Sequence, residues 1–170
     1  MKLIACLAMF AILSGCTGIP EHLKPVKPFD IEKYMGKWFE VARLDHSFER
    51  GLSQVTADYT LQSDGSVKVI NSGYSEKDDE YRQATGTAKF VRHSDEGYLK
   101  VSFFGPFYGS YVIFELDQKD YQYAFVSGYN KHYLWLLSRT PEVSQKLKER
   151  FIQQSAKLGF DTDQLIWVKQ

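Results

Sequence analysis

Few residues in this chain have the chemistry to act as nucleophile, general base or metal ligand. The histidines stand at 22, 46, 93 and 132, in a proline-rich segment, a loop, a turn and the start of a strand. No two share a metal-ligand spacing. Asp45-His46-Ser47 contains the residue types of a hydrolytic triad, but the members of such a triad meet across a fold and are not consecutive. Glu40 is in phase with Trp38 along an extended run. A carboxyl there faces inward and, if buried, titrates late. The duller role, a structural hydrogen bond in the wall, is the preferred one. The reading is of a non-enzyme with no catalytic residue, no metal and no cofactor.

The cysteines are Cys6 and Cys16. Residues 3–13 ("LIACLAMFAIL") follow Lys2 as an apolar stretch of secretory-signal length, too short to span a bilayer comfortably. Leu13-Ser14-Gly15-Cys16 resembles the lipobox of bacterial lipoproteins, which implies cleavage after residue 15 and acylation of Cys16. Thr17 in place of Asp implies sorting to the outer membrane. On this reading the mature domain has no disulfide and no free thiol. Residues 16–29 carry prolines at 20, 25 and 28 and read as a semi-extended tether, holding the domain a few nanometres off the membrane.

These residues need elements to position them, and the rest of the chain reads as strands. Aromatic content is 15%, with 12 Phe and 11 Tyr, which suits pleated surfaces. Formal net charge is zero, and no basic stripe points to nucleic acid. Strand-like runs at 36–45, 53–62, 67–75, 81–92, 98–104, 110–117, 121–129 and 133–139 are separated by hairpin-length turns. One helix follows, with Thr140 as N-cap, Pro141 in its first turn, Val143, Leu147, Phe151 and Leu158 on one stripe, and Gly159 at its end. A short last strand, "QLIWVK", follows at 164–169.

Along the strands Ala57, Tyr59, Val69, Asn71, Ala84, Gly86, Ala88, Val101 and Phe103 fall on the alternating face that would point inward. The prediction is all-β: an eight-stranded antiparallel up-and-down barrel over 30–170, with one C-terminal α-helix packed outside. Its small inward residues leave volume for a ligand. Lys68, Gln83, Lys89 and Lys100 on the outer face exclude a transmembrane barrel. In "FFGPFYGSYVIF" (103–114), Gly105-Pro106 cannot be ladder residues, so Phe104, Phe107 and Tyr108 sit at a turn. A non-catalytic structural or interaction lipoprotein, its barrel filled by its own rings, is the competing reading.

"YMGKWFEVARLDHSFERG" resembles the first conserved region of the lipocalins, with Gly36, Lys37 and Trp38 matching G-x-W; "LWLLSRTP" (134–141) resembles the third. "KVSFFGPFYGSY" and "GFDTDQLIWVKQ" look like the bacterial outer-membrane lipoprotein lipocalins (the Blc-like group), related to the apolipoprotein D-like lipocalins of animals. The resemblance implies that Arg139 stacks on Trp38 at a closed base with Gly36. It also implies that Tyr111, Ile113, Tyr133 and Trp135 face inward; Val126 lines the seventh strand, and an up-and-down barrel puts Phe107 and Tyr108 on the open rim, opposite Trp38. The implied partners are fatty acids or lysophospholipids, stored or transported for envelope maintenance under stress. Some members of that group form homodimers, so the resemblance leaves a homodimer open here.

Overall fold

The computed structural model describes residues 16–170. The signal segment expected over 1–15 lies outside the described residues. The strands are β1 (Gly36–Arg43), β2 (Leu52–Leu61), β3 (Val67–Ser75), β4 (Glu80–Phe90), β5 (Tyr98–Phe104), β6 (Phe107–Leu116), β7 (Tyr123–Ser127), β8 (Leu134–Ser138) and the short β9 (Ile166–Trp167). All neighbours are antiparallel, in the order β2 through β8, then β1 and β9. Pairing of Gly36–Phe39 with Thr56–Tyr59 joins β1 to β2 and closes the barrel. Closure leaves no long unpaired edge among these strands.

β1 holds β2 only along its lower half. A bulge between Glu40 and Ala42 turns its upper half away, and there Ala42 and Arg43 pair with β9 instead. Val168 N–H donates to Val41 O at 2.9 Å, and Gln54 N–H donates to Lys169 O at 2.6 Å. The C-terminal segment thus spans the gap that opens between β1 and β2.

Two apolar clusters result. One fills the lower barrel around Trp38, Val67, Val69, Leu99, Ala124 and Leu137. The other lies outside the wall, under helix α2 (Gln145–Lys157), around Val112, Phe125, Leu134, Leu136, Phe151 and Phe160. Phe151 meets Phe125 edge-on, with ring centroids 4.9 Å apart. This second cluster is why β6 is apolar on both faces: Tyr111 and Ile113 belong to the interior, Val112 and Phe114 to the helix-covered outside.

Three expectations change. The helix begins at Gln145, not in the Thr140-Pro141 turn; Ser144 caps it by accepting from Leu147 N–H at 3.2 Å. Thr140 Oγ1 instead donates to Glu142 O at 2.7 Å, which holds the turn. A four-residue helix, α1 (Ile31–Tyr34), which no periodicity could announce, closes the base.

The largest change concerns residues 16–29, which are not a free tether. Cys16 bridges to Gly109, and Ser110 N–H donates to Cys16 O at 3.0 Å. Val26 N–H donates to Ile113 O at 2.8 Å, Gly97 N–H to Val26 O at 2.9 Å, and Phe29 N–H to Asp95 O at 2.8 Å. Leu23 and Phe29 are buried. The prolines keep the segment extended, and its backbone groups pair with the barrel instead of water. It runs as a strap from beside the Gly105-Pro106 turn to the base.

Candidate functional site

The base is built first. Trp38 is fully buried, and its indole N–H donates to Tyr34 O at 2.8 Å. The Arg139 guanidinium lies 3.9 Å from the Trp38 ring centre. It donates to Tyr121 O at 3.2 Å, Lys37 O at 2.9 Å and Lys33 O at 2.8 Å. Gly36 has φ +90, which suits glycine, and its Cα side faces Arg139 Nη1.

Above this base the barrel is hollow. A cavity of about 630 Å³ runs up to Phe48, Phe104 and Phe107. That volume is typical of a small-molecule site. Ala57, Tyr59, Val69, Asn71, Ala88, Val101, Phe103, Tyr111, Tyr133 and Trp135 all line it, and Phe107 and Tyr108 stand on its wall near the mouth. Ile113 and Val126 do not line it. They pair across β6 and β7, are fully buried in the interior cluster, and have short side chains beside the long rings of Tyr111 and Trp135. Gly86 leaves no free volume either: a Cβ there would meet Ser102 O at 2.7 Å and the Phe103 ring at 2.8 Å, so backbone and ring already fill the space.

The Gly105-Pro106 turn is tighter than expected. It is a two-residue connection with Phe104 paired to Phe107, so β6 starts at Phe107 rather than at residue 110.

Two polar features interrupt the apolar wall. Near the floor, Tyr34 and Tyr59 hydroxyls flank that of Tyr111, at 2.8 and 2.9 Å. Burial pushes all three phenols above their ordinary range, so they remain neutral hydroxyls. Three hydroxyl protons serve two mutual hydrogen bonds, which leaves one donor for another acceptor. Asn71 Oδ1, also buried on the wall, has no hydrogen-bond partner.

Higher up, the chain between β1 and β2 folds a charged group inward. Arg43 donates to Glu40 Oε1 at 2.7 Å, to Glu49 O at 2.8 Å and to Leu52 O at 3.2 Å. Glu49 Oε2 lies 2.9 Å from His46 Nε2 and accepts from Trp135 Nε1 at 3.1 Å. Burial raises the Glu40 carboxyl well above its ordinary value, helped by the charge of Glu49 and opposed by Arg43. Burial pushes Glu49 the same way, but its bonds to His46 and Trp135 outweigh that and hold it below its ordinary value. Of the two carboxyls Glu40 holds its proton to the higher pH, and the contacts of Glu49 to His46 and Trp135 favour its carboxylate.

Sequence reading placed Glu40 inward through its phase with Trp38. It put His46 on a loop and gave it no role, and it passed over Glu49; both reach the wall only through the fold. Among the described residues, no group of histidine, cysteine or acidic side chains is arranged to hold a metal ion.

Residues 29–170 match the family described as a lipocalin-like domain. The chain is 58% identical over 170 residues to the "Outer membrane lipoprotein Blc" of Vibrio cholerae serotype O1, covering all of this chain and 99% of that protein. The Escherichia coli K12 protein of the same name is 41% identical over 172 residues, covering all of this chain and 97% of that one. Among solved structures, insecticyanin from the tobacco hornworm Manduca sexta superposes with a TM-score of 0.72 at 20% identity, over 90% of this chain and 87% of that one, a likeness of fold.

Proposed function

We propose, from the premise that this chain belongs to the lipocalin family, that it is a lipid-anchored carrier whose barrel holds the acyl chain of a fatty acid or lysophospholipid. The observation that carries this reading is the long apolar cavity, closed at Trp38 and open beyond Trp135. An acyl chain gains about 0.8 kcal/mol per buried methylene, before ordering costs. The few polar groups on the wall fix where a polar head or carbonyl sits rather than how tightly the ligand binds. A storage or transport role in envelope maintenance under stress follows from the same reading. So does anchoring at Cys16 in the outer membrane, a location that the relatives' names support. Neither metal nor cofactor enters, and the cavity residues act as a wall rather than as catalysts.

Calorimetric titration of the purified protein with saturated fatty acids of increasing length tests this. Affinity rises by roughly tenfold for each two methylenes added until the cavity is full. Val101→Trp, which inserts an indole into the cavity wall, abolishes binding while leaving the folded circular-dichroism spectrum intact. Affinity independent of chain length defeats the carrier reading.

A further inference from the structure

The mouth of the barrel carries an aromatic ring on every connection. Phe48 lies between β1 and β2 and is 71% exposed; Tyr81, the second residue of β4, is 64% exposed. Phe104 and Phe107 flank the β5–β6 turn at 72% and 69%, and Tyr129 between β7 and β8 is exposed as well. At the closed end, Leu61 is the one large apolar side chain so exposed among the described residues. Isolated surface hydrophobics need no explanation, but a ring of them around one opening does.

A second observation says what covers that ring. The strap seats Cys16 against Gly109, two positions along β6 from Phe107. Ser110 Oγ donates to Gly18 O, and the Tyr98 hydroxyl to Thr17 O, so the seat is held at several successive residues. Two strand residues span about 7 Å. Acyl chains attached at Cys16 therefore leave the protein beside the mouth, not at the end of a long leash.

We propose that the mouth of the barrel docks on the bilayer surface, with Phe48, Tyr81, Phe104, Phe107 and Tyr129 at the level of the lipid head groups and the cavity opening directly onto the lipid. This rests on the acylation of Cys16 assigned above. A rim of rings beside an anchor suits an interface, where aromatic side chains keep an apolar body in the lipid and a polar edge in water. An acyl chain then passes between bilayer and cavity without crossing water.

The test uses the full acylated protein in vesicles of phosphatidylethanolamine and phosphatidylglycerol (three to one) containing doxyl-labelled lipid. Flotation comes first. Wild type floats with the vesicles, and Cys16→Ser does so at least tenfold less. Wild type that fails to float defeats the anchor assignment and this proposal with it. A fluorophore is then placed at Phe107→Cys, by the mouth, or at Ser63→Cys, in the closed-end turn. Docking predicts quenching several-fold stronger at 107 than at 63. Equal quenching, stronger quenching at 63, or shielding of 107 that grows with protein density as in a mouth-to-mouth dimer, overturns the docking while leaving the anchor standing. Independently, Tyr81→Ser, at the one ring of the five that does not line the cavity, slows fatty-acid uptake from vesicles and leaves uptake from aqueous solution unchanged. Equal rates from vesicles in this variant and wild type also overturn it.

Discussion

Glu40, Arg43, His46 and Glu49 place ionisable groups where solvation is poor, and their consequence is a pH dependence of known sign. Because the folded protein raises the Glu40 carboxyl above its ordinary 4.5, the native state binds that proton more tightly than the unfolded chain. Stability must then fall as pH rises from the ordinary value toward the raised one. Glu40→Gln removes this slope, so its urea midpoint gains on wild type as pH increases above about 4.5. Glu49 works in the opposite sense and contributes stability that disappears as pH falls through its lowered value. At the base, Arg139→Ala removes the stacking on Trp38 and three hydrogen bonds to backbone carbonyls. A loss of about 2–3 kcal/mol is expected in denaturant unfolding. Arg139→Lys recovers only part of it, since an ammonium cannot present the same planar fork.

Among the elements, the strands with one apolar face were the legible ones. Val67–Ser75 and Tyr98–Phe104 occupy the spans that alternation assigns them. β6 was ambiguous because its second face lies under α2, and only the position of the helix separates Tyr111 from Val112. The polar group on the wall was half legible: Glu40 shares the period of Trp38, whereas His46 and Glu49 have no period to share. Inward position did not guarantee open space. At Gly86 the pattern counts a missing side chain as volume, while the structure puts the Phe103 ring there. Gly86→Ala is expected to cost about 1–3 kcal/mol in denaturant unfolding, since shifting the ring leaves the Ser102 carbonyl still in the way. The strap was read as a linker because its composition is that of one; its partners lie some 65 to 95 residues away and leave no local trace. Leu23→Ala should cost about 2–4 kcal/mol if the strap belongs to the cooperative fold. A free tether would show no change.

For the whole molecule, a closed base and an open mouth give the barrel a direction, and the strap and the C-terminal segment are sewn onto it from outside. Both are late partners of early strands or early partners of late ones. The seat of Cys16 and the residues after it is made by Tyr98, Gly109 and Ser110, so it does not exist while the first hundred residues are being synthesised. During that interval residue 16 has nothing in the fold to sit on. It stays within reach of any modifying machinery at up to about 3.3 Å per residue of extended chain. Only when β5 and β6 pair does the slack disappear. On the proposed acylation of Cys16, order of synthesis separates two demands on one segment: length first, while the cysteine is to be reached, and fixed placement afterwards. The timing is written into which strands the segment waits for, and in refolding the Ser110 amide should gain protection against hydrogen exchange no earlier than the β5–β6 ladder.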